Sequence, residues 1–557
     1  MMGHRLSRIF HGCYLVLFTV LFLCVWAWQD HIPALLALWA AALVLLVLAG
    51  RRICGGQQAA GRRLFCGQLV AGRRHRVAAG KRLREGPLAG RCGCGVTVTD
   101  RQLKWITAAV LGIMAVLLAI IGWMMIPLLR TDLGTVYYSA MEIIKNGHVN
   151  DAPSIYNQIT TITNMTNNEY FVVYPNNLPI LFFITTFYRI VNAFGISMET
   201  DLGVYMGVLL NMGFILFSVG LGSRVAKRLW GNKAALFYLM LAALFVPYYI
   251  NVSRFYTDTL TLPFPLLAVY FYIRLREMRA SDKMPQGYGF RKRLPWLVGL
   301  GACLAVGFLL KGSCIIMAVA ILVHSLISSF NRRTLAGIAA AAVCFCILWQ
   351  GWNVYVRHCS WVDMSREEEL TFPAAHWVMM AMSGNGGFHQ DDFDYTWSYG
   401  SKEEKQAADI RRIREKIDVM GGFGGFLSFE LRKMAGTWGD AKFAQQPHLN
   451  WIKKDTVMQE FVEKDGKYHT AFYIYTTAFI LVVYTLFMVS IAHGMFRKNN
   501  IASLFNICIF GVMLFFAFWE TKSRYLLNFT PIFFLCATDG MRNMLIYLQR
   551  LTRWVRS

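Results

Sequence analysis

Apolar runs long enough to cross a bilayer recur along nearly the whole chain, and they limit the fold more than any other feature. A hydrocarbon core about 30 Å thick needs about 17–25 apolar helical residues. Twelve such runs can be read: residues 10–28, 33–49, 105–128, 203–222, 234–250, 259–276, 295–310, 313–329, 335–353, 470–492, 501–519 and 526–545. Only 16% of the residues are charged and 56% are hydrophobic, which excludes an array of ordinary soluble domains. The sequence therefore predicts an all-α polytopic membrane protein of about twelve transmembrane helices. The first run is followed by Val25-Trp-Ala-Trp-Gln-Asp30 with no small-residue cleavage site, so it reads as an uncleaved anchor.

The net charge of +24 would suggest nucleic acid in a soluble protein. Here it sets orientation. With the N-terminus inside, inner segments hold 34 Lys and Arg against 5 acids, and outer segments hold 22 against 27. That is the positive-inside pattern, with both termini cytoplasmic, membrane lipid as the partner of the basic face and no nucleic acid partner. The apolar run at 178–194 would reverse the pattern if it crossed, placing Arg224, Lys227 and Arg228 outside. It is expected to lie on, or dip into, the outer surface.

Five regions follow. Residues 1–49 form a two-span hairpin. Residues 50–104 are a basic loop with loose Ala-Gly-Arg-Arg units, expected to be disordered and drawn to anionic headgroups. Residues 105–353 are the transmembrane core, with a first outer loop at 129–202. Residues 354–469 are a large outer loop holding 18 of the 32 acids. Residues 470–557 close the bundle and end in a basic tail. Of the 13 cysteines only Cys359 falls clearly outside, which argues against a disulfide framework.

Ionisable residues near membrane depth cost about 2.5–3.5 kcal/mol each to insert, so they are functional candidates. Asp132 follows the third span; it can N-cap a helix running to Asn146, with Gly147 ending it, or face a cavity as a base. Asp258 precedes the sixth span and has Arg254 one turn upstream, placed for an ion pair. Lys311 sits at the tip of an apolar hairpin, as a snorkelling side chain or an anion ligand. Glu520, Lys522 and Arg524 lie together after the eleventh span, where two cations suit a phosphate or, with Trp519 and Tyr525, an interfacial belt. In the large loop, His376 and Asp392 are candidate headgroup or acceptor contacts, although a lone histidine is more often structural. No nucleotide-binding loop, H-E-x-x-H or G-x-S-x-G is present.

These residues resemble the GT-C membrane glycosyltransferases. The likeness rests on Asp132 after a span, Tyr174-Pro-Asn-Asn177, Arg254-Phe-Tyr-Thr-Asp258, Leu310-Lys311-Gly312 and Glu520-Thr-Lys-Ser-Arg524-Tyr. The class includes protein O-mannosyltransferases and aminoarabinose transferases. The large-loop stretches Pro373-Ala-Ala-His-Trp-Val-Met-Met380, Gly386-Gly-Phe388 and Lys433-Met-Ala-Gly-Thr-Trp-Gly-Asp440 are similar to those of the family-39-like enzymes of Gram-positive bacteria. The resemblance covers roughly residues 105–540. It implies a GT-C-like bundle that transfers a sugar from a polyprenyl-phosphate donor to a cell-envelope glycopolymer, lipid or protein at the outer face. Asp132 would be the catalytic base and Asp258 a second catalytic carboxylate. Lys311, Lys522, Arg524 and Arg254 would bind the donor phosphate, and His376, Asp392 and Glu520 the acceptor. Leu133 stands where the class carries a second acid, which leaves a divalent metal on Asp132 and Asp258 an open expectation. A transporter or flippase of a lipid-linked substrate, or a scaffold presenting the large loop, are the competing readings.

Overall fold

The computed structural model describes residues 2–54, 98–154, 165–281, 288–496 and 501–554. Most of the basic 50–104 loop lies outside them. The described residues are helical, with two isolated bridges, Pro127 with Ile452 and Pro153 with Thr166.

Among the described residues, eight helices are long and apolar enough to cross a membrane: Ser7–Ala27, Ile32–Ala49, Asp100–Met124, Asp201–Trp230, Arg291–Leu310, Arg332–His358, His469–Gly494 and Ile501–Phe518. The twelve expected spans are thus not all matched. Asn232–Leu244 has 13 residues and Ile315–Ser328 has 14. Pro263–Ser281 carries Arg274, Arg276 and Glu277, and Thr530–Trp554 carries Asp539 and Arg542. The first half of the last of these is enclosed, with Ile532, Phe533, Phe534 and Leu535 fully buried. A helix covered by other helices can hold polar side chains because lipid does not meet them. The 178–194 run forms Leu178–Ala193, and the apolar helices on either side of Tyr174 are bent by 103°.

Local chemistry sets the helix ends. Thr99 and Gln102 form a capping box before Asp100–Met124, and Ser401 and Glu404 form another before Lys402–Val419. Thr200 caps Asp201–Trp230. At Gly540 the Thr530–Trp554 helix meets His469–Gly494 so closely that a Cβ would lie 1.9 Å from the Leu486 carbonyl oxygen.

The N-terminal hairpin packs on this pair of helices. The tip of the hairpin also reaches the Gly422–Gly439 helix: Gln29 donates to the Gly439 carbonyl at 3.3 Å and accepts from Tyr473 at 2.8 Å. Connections on one end of the bundle, including the short helices of 359–468, meet each other through bonds such as Leu128 N–H to Trp451 O. The candidate site lies among them.

Candidate active site

Four chain-distant segments bring their charges to one cleft. Asp132 lies in the first turn of Thr131–Asn146. Asp258 lies in the single turn Thr257–Leu260. Lys311 is the extended residue between Tyr288–Leu310 and the next turn, and Arg524 lies in the 3-10 helix Ser523–Phe529. Asp258 takes the Lys311 ammonium on one oxygen and Arg524 Nη1, at 3.3 Å, on the other. Arg524 Nη2 is 3.8 Å from Asp132. Burial opposes the charged carboxylate of Asp258, yet Lys311 and Arg524 hold it below the ordinary range.

Two local expectations differ from this arrangement. Asp132 does not cap its helix, which starts at Thr131, so Asp132 is already helical and its side chain is free for other partners. Thr131 has φ 57°, a strained value for a β-branched residue, where the chain turns into that helix. Gly147 does end the helix, with φ 85°. Arg254 is also not the ion-pair partner of Asp258, because the tighter partners come from Lys311 and Arg524.

A relay of hydrogen bonds stands behind Asp132. Tyr256 OH donates to Asn177 at 2.6 Å, Asn177 Nδ2 donates to Tyr170 OH at 2.7 Å, and Tyr170 OH donates to Asp132 at 2.7 Å. Asn177 and Tyr256 stand inside motifs visible in the sequence. Tyr170 does not, and local spacing gives no sign of it.

Glu520 and Lys522 join the rim. Their charged ends are 3.8 Å apart, and Tyr525 OH donates to Glu520 at 3.1 Å. Burial lowers the Lys522 ammonium. The large loop holds this rim in place: Thr521 N–H donates to Gly386 O at 2.8 Å, and a Cβ on Gly387 would strike the Lys522 stem. Ser523 donates to Asp440 at 2.7 Å.

The space around these groups has three parts. A cleft of about 330 Å³ is lined by Asp132, Asp258, Lys311, Lys522 and Arg524 with Tyr174 and Trp519. A nearly wholly apolar groove of about 710 Å³ runs between Ser7–His11, Ile315–Ile327 and Ser503–Trp519, and shares Phe515 and Trp519 with the cleft. On the other side of Asp132, Asp258 and Arg524 is a chamber of about 20 Å³, also lined by Arg254 and His448. Arg254 is therefore not beside Lys311 and Lys522.

His376 and Asp392 line none of these spaces. His376 is fully buried among Phe372, Trp377 and Phe393, with Nδ1 2.7 Å from Thr396 Oγ1, and burial holds its pKa down to about 3. Asp392 is buried and paired with Lys416 at 2.6 Å. Both sit in the core of the large loop because its short helices need an interior. The metal expectation also meets an obstacle. Asp132 and Asp258 already face protein cations, and no group of three His, Cys, Asp or Glu suited to a metal occurs among the described residues.

No curated protein matches the chain. A solved structure, ArnT from Cupriavidus metallidurans bound to undecaprenyl phosphate, is similar at 13% identity and a TM-score of 0.32, over 77% of this chain and 78% of that one. Residues 98–544 match the family described as conserved hypothetical integral membrane proteins, and the chain belongs to that family.

Proposed function

We propose that the protein is a membrane glycosyltransferase that moves a sugar from a polyprenyl-phosphate donor to an acceptor hydroxyl. The observation that carries this reading is the junction of a carboxylate- and cation-lined cleft with a long apolar groove. A polyprenyl tail fits the groove, and its phosphate then reaches Lys311, Lys522 and Arg524. Asp132 takes the acceptor proton as the new C1–O bond forms. The bond from C1 to the phosphate oxygen breaks, and the three cations stabilise the charge gathering on the departing phosphate. Asp258 holds Lys311 and Arg524 in position for that task, and the Tyr256–Asn177–Tyr170 relay orients Asp132. The motif resemblance to GT-C enzymes supports the same reading. The charge asymmetry of the loops supports a cleft on the outer face.

Asp132→Asn keeps an acceptor for Tyr170 and leaves Arg524 its bond to Asp258. Transfer of sugar from a lipid-linked donor by the purified variant is expected to fall by about 10²- to 10⁴-fold, with folding intact. Full activity would remove Asp132 as the base. For orientation, Gly400→Cys is expected to react with an impermeant thiol reagent on intact cells beyond the parent chain. Reaction only after permeabilisation would put the cleft on the inner face.

A further inference from the structure

The small chamber is lined by Asp132 and Asp258 as well as by Arg254 and Arg524, and Arg254 is the member of this set that forms no ion pair among the described residues. Arg254 is enclosed there, and its Nε and Nη2 are buried with no hydrogen-bond partner among the described residues. Arg524 Nε, from the same lining, is also unpartnered. The other cations of the cluster have carboxylates: Lys311 has Asp258, Lys522 has Glu520, and Arg524 has Asp132 and Asp258. Arg254 is the surplus charge.

Its position is built rather than accidental. The Asn211 amide donates to the carbonyls of Asn251, Val252 and Arg254 at 3.2, 2.8 and 3.1 Å, and Thr259 Oγ1 donates to the Arg254 carbonyl at 3.0 Å. The turn is therefore pinned while the guanidinium is left unmatched. A guanidinium does not escape burial by losing its proton, so an unpaired one inside a protein calls for an anion.

We infer that this chamber is a second anion site, which shares only Arg524 with the donor-phosphate cations. It takes one anionic oxygen, or an ion of about that size, between Arg254 and Arg524 beside His448. About 20 Å³ exceeds the 10–15 Å³ a single water requires and is far too small for a sugar ring. Only a small anion or the tip of a larger anionic group enters. The anion has two sources: a free inorganic ion, or a phosphoryl or carboxylate group of the acceptor. The second source rests on the proposed transfer reaction, because the chamber touches Asp132 from the side away from Lys311 and Lys522. An acceptor held there by its charge would present its hydroxyl across the base from the donor.

The test uses the full chain purified in detergent, with the thermal unfolding midpoint followed against sodium phosphate or sodium chloride. The same salt series on Arg254→Gln serves as the reference for the general effect of ionic strength. The wild type is expected to be stabilised saturably. Arg254→Gln is expected to weaken the apparent affinity at least tenfold, whereas Lys522→Gln keeps the response. An Arg254→Gln response equal to wild type, or no response in the wild type, overturns the site. If Arg254→Gln does not fold, Arg254→Lys serves: it keeps the charge, loses the forked donors, and must bind the anion more weakly. Stabilisation by chloride alone assigns the chamber to a free ion. Stabilisation by phosphate, with an Arg254→Gln KM raised for an anionic acceptor and unchanged for a neutral one, assigns it to the acceptor. The anion titration needs no sugar transfer, so failure of the transferase reading leaves it standing.

Discussion

Asp258 carries two cations, and that sharing predicts a specific pattern of non-additivity with Lys311. The side chains of Asp258, Lys311 and Arg524 are only 12%, 11% and 13% exposed. Asp258→Asn therefore leaves two enclosed cations without their main anion, and the expected cost is about 3–5 kcal/mol of stability. Lys311→Met is milder. It removes one partner of Asp258, but Arg524 remains at 3.3 Å, so the cost should be about 1–3 kcal/mol. In the double variant the ammonium that Asp258→Asn would orphan is gone, and Arg524 still has Asp132 at 3.8 Å. The double variant should then cost no more than Asp258→Asn alone, a coupling of at least about 1 kcal/mol. Reversible unfolding in mixed micelles with a rising SDS fraction measures all four corners of the cycle. Additive costs, or two single variants each below about 0.5 kcal/mol, would show that the triad is not a coupled, buried ion network.

Two further outcomes follow from the packing. His376 is neutral and buried, with a pKa near 3 in the fold against about 6.5 when unfolded. The unfolded chain binds the extra proton first as pH falls, so His376 withdraws stability from about pH 6.5 downward, about 2 kcal/mol by pH 5. Thermal melts of the wild type and His376→Gln across pH 5–8 should show a shallower slope in the variant, and equal slopes would refute the assignment. Gly540→Ala puts a methyl group onto the Leu486 carbonyl and should cost about 1–3 kcal/mol in the same SDS assay, while an unchanged midpoint would mean that the two helices separate freely there.

The charged residues of the cleft and of the chamber beside it were legible because they break a pattern. Reading the loops by the positive-inside pattern assigns most cations to one side, and that made Lys311, Lys522, Arg524 and Arg254 conspicuous as exceptions. Their partnerships were not legible. The Lys311–Asp258 pair spans 53 residues, and helical spacing offers only Arg254 to Asp258. Tyr170 was invisible because a tyrosine in an apolar stretch gives no sign of facing a carboxylate. His376 and Asp392 drew notice as polar residues in a conspicuous motif, yet the large loop uses them to fill and pin its own core. Eight of the twelve expected spans meet helices of spanning length and composition among the described residues, and the other four are not confirmed, because burial inside a bundle and contact with lipid both favour apolar helices. Helices as short as Asn232–Leu244 carry the first signal without the length for the second.

The N-terminal hairpin, outside the family match, lines the apolar groove and also reaches the Gly422–Gly439 helix. Ser7, Phe10 and His11 form one wall of the apolar groove. At the other end of the same helix, Trp28 and Gln29 lie against Gly436 and Gly439, where a Cβ would stand 3.4 Å from the Trp28 ring and 2.8 Å from the Gln29 amide. The next residue after Gly439 is Asp440, which accepts from Ser523, and Ser523 lies between Lys522 and Arg524. A short line of contacts therefore runs from the hairpin tip through the Gly422–Gly439 helix to the cations of the cleft. Small residues at 436 and 439 permit that approach, so the hairpin supports the strand of chain that carries Lys522 and Arg524 while lining the groove that leads to them.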